Sequence, residues 1–155
     1  MESDQRGLYT PQLEKDSCGT GLIADLNGNK SHQLVQDALT MLENMEHRGA
    51  CGYEPNTGDG AGILVQMPHE FLAKACKKLG FVLPEPGTYG VGMLFFPMEE
   101  GFREHCRVIV NDLIDEFNFT LLGYRKVPTN NTGLGDSAKA VEPWIEQVFV
   151  MPKEK

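Results

Sequence analysis

A chain of 155 residues, 41% apolar and 23% charged, has the size and composition of one globular domain or a piece of one. Its formal charge of −8, with no Lys/Arg cluster to offset it locally, repels phosphate backbones and anionic lipid and excludes nucleic acid as an expected partner. No apolar run approaches the roughly 20 residues that cross a bilayer, and stretch 1–17 is too polar and acidic for a signal peptide, so a cytoplasmic chain with no membrane contact is expected.

Residues 1–17 lack periodicity and read as an extended leader. The apolar, glycine-punctuated segment from Cys18 to Leu26 predicts a buried strand, and Asn27-Gly28-Asn29 a tight turn after it. Ser31 is the expected N-cap of a helix whose apolar face is Leu34, Val35, Ala38, Leu39, Leu42 and Met45. His47 and Arg48 fall in its last turn, where cations meet the negative end of the helix dipole, and Gly49 stops it. A glycine-rich loop then leads to a second expected strand, Ile63–Met67. Pro68 opens a helix with the face Phe71, Leu72, Ala75 and Leu79, and Gly80 closes it.

Thr88–Phe96 is rich in β-formers and reads as a third strand ending at Pro97. A long helix follows, with acidic residues in its first turn and Phe102, Cys106, Ile109, Val110, Leu113 and Phe117 as the expected buried stripe. Phe119–Val127 reads as a fourth strand and Pro128–Gly135 as a polar loop. Val148–Met151 reads as the start of a fifth strand with no visible partner, an exposed edge along which copies could associate. The alternation of strands and helices on its own suggests a parallel α/β sheet.

The four cysteines, Cys18, Cys51, Cys76 and Cys106, are widely spaced without a CxxC pair, which fits neither a zinc site nor a disulfide scaffold. Cys18 has two readings. It is either a small core residue or a nucleophile, and the second needs a base, because the thiolate is the attacking form. Cleavage between Ser17 and Cys18 would create that base as a free α-amine on the same residue. Arg48 is either a solvated helix cap or a bidentate ligand for a carboxylate. The stretch Thr57-Gly58-Asp59-Gly60-Ala61-Gly62 has no phosphate-loop frame and reads as a tight turn, with Asp59 bonded to nearby backbone amides.

Cys18-Gly-Thr-Gly, the helix ending in His47-Arg48-Gly49-Ala50, and Asn56-Thr-Gly-Asp-Gly-Ala-Gly-Ile63 occur in an order and spacing that resemble the class II glutamine amidotransferase domain of glutamate synthases. The leader GLYTPQLEKDSCG is similar to that family's propeptide junction, and Arg125-Lys-Val-Pro128 and Pro143-Trp-Ile-Glu-Gln-Val-Phe149 extend the likeness along nearly the whole chain. A His-Arg-Gly after an N-terminal Cys is shared by other class II amidotransferases; the leader and the TGDGAGI stretch discriminate among them.

The resemblance implies an α+β fold, the N-terminal part of an αββα sandwich of the N-terminal-nucleophile type, in place of the parallel sheet. Residues 1–17 become a removable leader, and residues 18–155 an incomplete amidotransferase domain, inactive by itself because the family's oxyanion-hole pair and substrate-carboxylate ligands lie farther along. Cys18 becomes the nucleophile toward L-glutamine. Arg48 becomes a residue near the active site, either touching substrate or bracing the cysteine strand. The family further implies a parent with FMN, an iron–sulfur cluster and NADPH or ferredoxin, none of whose binding motifs occur in this chain. It also implies partners in the remaining domains of a large subunit and in a small electron-delivering subunit. The alternatives are another class II amidotransferase or a non-catalytic module that keeps the fold, against which the leader argues.

Overall fold

The computed structural model describes residues 19–49, 54, 56–58 and 60–153. The chain divides into two compact units, Met1–Leu64 and Val65–Lys155.

In the first unit the turn at Asn27–Asn29 forms as expected. The Asp25 carboxylate accepts the backbone N–H groups of Asn27 at 2.8 Å and Asn29 at 3.1 Å, and Gly28 closes the turn with φ +73°. The strand expected before it does not form. Residues 19–25 have no ladder partner, and Leu22 and Leu26 stand in solvent. Helix α1 runs His32–Asn44, and Ser31 caps it by accepting the Leu34 N–H. Its half-buried face, Leu34, Val35, Ala38, Met41, Leu42 and Met45, matches the periodic one except that Leu39 is exposed and Met41 joins. The helix stops earlier than expected. Met45 is its C-cap, and Glu46–Arg48 form a separate single 3-10 turn that ends at Gly49. The expected strand at 63–67 is likewise absent, with Ile63, Leu64, Val65 and Met67 all exposed. Both failed strands have one cause, since an apolar run becomes a strand only where another strand supplies its hydrogen bonds.

The second unit has its own core. Helix α2, His69–Lys78, follows Pro68 and ends before Gly80 at φ +91°, as the sequence signals. Its buried residues are Leu72 and Cys76, while Phe71 and Leu79 face solvent, so the face is rotated from the expected one and Cys76 is core. Strands β1 (Gly90–Phe96), β2 (Phe119–Lys126) and β3 (Trp144–Pro152) form one sheet in the order β1-β3-β2, with both pairings antiparallel. This corrects two expectations. The sheet is not parallel, and the last strand, far from lacking a partner, starts four residues early and fills the centre, where Phe149 has no exposure.

Alternate residues of β3 serve opposite faces. Phe149 packs with Leu72, Cys76, Leu83 and Tyr89, and with the partly buried Phe81, Val91, Leu122 and Met151. Glu146 and Val148 turn to the other face, toward α3 (Glu100–Glu116). That helix is capped by Glu99, whose carboxylate accepts the N–H groups of Gly101 at 2.9 Å and Phe102 at 2.7 Å. Its apolar stripe is not the buried face. Phe102, Ile109, Leu113 and Phe117 are exposed and only Cys106 and Val110 of the stripe are half-buried, because the helix turns Arg103 and Arg107 to the sheet. The stretch Pro128–Gly135 is loop, as expected, and a short helix α4, Asp136–Ala140, follows it. The result is a mixed α+β arrangement, and no helix among the described residues is long and apolar enough to cross a membrane.

Candidate active site

Arg48 closes the 3-10 turn after α1, its own N–H donating to the Met45 carbonyl at 2.8 Å and the Gly49 N–H to the Glu46 carbonyl at 3.0 Å. His47 Nδ1 lies 3.1 Å from the Asn44 carbonyl and ties the turn back to the helix. The Arg48 side chain is exposed, and among the described residues its guanidinium has no hydrogen-bond or ion-pair partner. Its stem is engaged. A Cβ added at Gly19 would stand 3.2 Å from Arg48 Cβ and 3.5 Å from Cγ.

The structure therefore sets the backbone one residue beyond Cys18 against the root of Arg48. Cys18 itself, Cys51 and Asp59 lie outside the described residues. Thr57 flanks the glycine-rich stretch in a turn, donating its N–H to the Glu54 carbonyl at 3.1 Å and its hydroxyl to the Glu54 carboxylate at 2.8 Å. Among the described residues no three His, Cys, Asp or Glu side chains gather as metal ligands.

A second polar cluster, in the Val65–Lys155 unit, was not foreseen from the sequence. Arg107 grips the buried Glu146 through Nε at 3.1 Å and through Nη2, and the Trp144 indole N–H donates to the same carboxylate at 2.6 Å. Arg103 lies 4.2 Å and the Lys126 ammonium 3.6 Å from the Trp144 ring centre. Tyr124 donates its hydroxyl to Asn111 at 2.7 Å and lies beside Arg107. The available signal was a pair of arginines one helical turn apart opposite a strand bearing Trp and Glu two residues apart on one face.

Comparison with protein families matches residues 18–155 to the Glutamine amidotransferases class-II. The chain belongs to the class II glutamine amidotransferases. Among relatives of this amidotransferase chain, the glutamate synthase [NADPH] large chain of Bacillus subtilis is 44% identical over 145 residues, covering 94% of the chain and 9% of that protein. The glutamate synthase [NADH] of Saccharomyces cerevisiae is 45% identical over 154 residues, 96% of the chain and 7% of the yeast protein. The ferredoxin-dependent glutamate synthase 2 of Synechocystis is 42% identical over 150 residues, 96% of the chain and 10% of that protein. The amidotransferase chain thus spans about a tenth or less of the length of these relatives.

Proposed function

We propose that this chain is the glutaminase part of a glutamate synthase, with Cys18 as nucleophile once residues 1–17 are removed. The family match, which opens at Cys18, carries the reading, and the contact between Gly19 and the stem of Arg48 supports it. On this reading residues 18–155 are the N-terminal portion of an αββα sandwich whose other layers and oxyanion donors lie in the rest of the domain.

Removal of the leader leaves an α-amine, with an ordinary pKa of about 7.7–8.0, on the residue that carries the thiol. The amine takes the thiol proton, and the thiolate attacks the side-chain amide carbon of glutamine. The C–N bond breaks, ammonia leaves with the proton returned by the amine, and a γ-glutamyl thioester remains. Water, deprotonated by the same amine, attacks the thioester and releases glutamate and the free thiol. Arg48, with an exposed fork of N–H donors, stands near the site, either touching substrate or bracing the Cys18 segment, while the main carboxylate ligands lie farther along the domain.

Ammonia then aminates 2-oxoglutarate with electrons from a nicotinamide nucleotide or ferredoxin, as the names of the relatives indicate for those proteins. An iron–sulfur cluster does not fit the described residues. Their two cysteines are Cys76, buried in the core, and Cys106, on α3, and no ligand group surrounds either. FMN, the cluster and any small electron-delivering subunit are assigned to other parts of the parent protein, and no step here runs through them. The experiment is Cys18→Ala in the full-length polypeptide. Glutamine-dependent glutamate formation is lost and ammonia-dependent formation persists; glutamine-dependent turnover at the unsubstituted rate would refute the assignment.

A further inference from the structure

Asn27-Gly28 is the sole Asn-Gly pair in the sequence, and both residues are exposed. Such a pair has a chemistry of its own. With no Cβ on Gly28 to crowd it, the Gly28 amide nitrogen can attack the side-chain carbonyl carbon of Asn27. The nitrogen gives its proton to a base, the new N–C bond closes a succinimide ring, and the side-chain nitrogen leaves as ammonia. Water then opens the ring at either carbonyl and leaves aspartate or isoaspartate. Both products add a negative charge, and isoaspartate also lengthens the main chain by a methylene.

Ring closure requires a Gly28 nitrogen free to lose its proton and a main chain free to swing that nitrogen toward the side chain. The turn withholds both. The Gly28 N–H is donated to the Asp25 carbonyl at 3.1 Å, and Gly28 is held at φ +73°. Oδ1 of Asp25 accepts the main-chain N–H groups of Asn27 at 2.8 Å and Asn29 at 3.1 Å, which flank the susceptible link, and the Asn29 side-chain amide at 3.3 Å. We infer that Asn27 is a deamidation site kept latent by Asp25, whose carboxylate pins the turn against cyclisation. Neither Cys18 nor Arg48 takes part. The bonds join residues only two to four apart in sequence, so the guard is local and does not depend on what packs around the segment. Cyclisation proceeds from the opened turn, and its rate follows the opened population that these bonds hold down.

The test incubates the full-length polypeptide in mildly alkaline buffer and reads aspartate and isoaspartate at position 27 by peptide mapping, with the urea-unfolded polypeptide as the unguarded reference. The folded protein is expected to react about 10-fold or more slowly than the unfolded one, and Asp25→Ala about 10-fold faster than the unsubstituted folded protein. Asp25→Asn, which drops the charge but keeps an oxygen acceptor, is expected to stay within about threefold of the unsubstituted rate. Amide exchange along α1, measured on the same samples, is expected to be the same in all three folded proteins. Equal rates in the folded and unfolded protein, or no acceleration in Asp25→Ala, would overturn the guard. So would an Asp25→Asn rate as high as that of Asp25→Ala, which would assign the protection to charge, or α1 exchange that rises in step with deamidation, which would assign it to the fold of the whole unit.

Discussion

Glu146 is a buried carboxylate, and burial alone would push its pKa up. The hydrogen bonds from Arg107 and Trp144, with the charges of Arg107 and Arg103, outweigh that and hold the carboxyl below its usual value. A carboxyl depressed in the folded state stabilises the fold above its unfolded pKa, near 4.5, and that contribution is lost as pH falls through the lower folded value. Acid unfolding followed by the fluorescence of Trp144, the sole tryptophan, should therefore show stability falling below about pH 4.5, with a shallower fall in Glu146→Gln. Arg107→Ala, which strands the carboxylate, should cost about 3 kcal/mol at pH 7 in urea denaturation, and Arg107→Met with Glu146→Leu should recover most of it. The cluster was missed because Glu146 falls before the expected strand start at Val148 and its partner Arg107 is 39 residues away. Cys18 and Arg48 were legible as candidates because their glycine and helix-end settings are local.

Elements show the same division between local and distant causes. The Ser31 cap, the Pro68 and Gly80 boundaries and the extents of β1 and β2 follow from residues adjacent in sequence. The central place of β3 and the rotation of α3 do not, because each is set by partners tens of residues away: β1 and β2 for the strand, Glu146 for the helix. The chain met at Gly123 is another such partner. The β2 register slips between Leu121 and Gly123, and a Cβ there would meet the Phe81 ring at 2.7 Å, a rigid neighbour in contact with the core. Gly123→Ala should cost about 1–3 kcal/mol in urea denaturation, as overpacking does. On the outer face of α3, Phe117→Asp should change stability by no more than about 0.5 kcal/mol, because the ring is 67% exposed. A loss of several kcal/mol would mean that the stripe is covered.

Across the whole chain, the Val65–Lys155 unit holds every buried residue among those described, and the Met1–Leu64 unit holds none. A helix of 13 residues with only half-buried contacts is marginal in water, so the α1 amides should exchange with solvent much faster than those of β3. Equal protection would show that the first unit is held as firmly as the second. The proposed chemistry falls in the first unit, at Cys18 and Arg48, where the family match and the glycine contacts meet. The most direct test labels the parent protein with a glutamine-mimicking electrophile and reads both the mass of the chain start and the site of the label. The account predicts a chain that begins at Cys18 and a label on that residue alone. A label on Cys51, Cys76 or Cys106 with Cys18 untouched would contradict it.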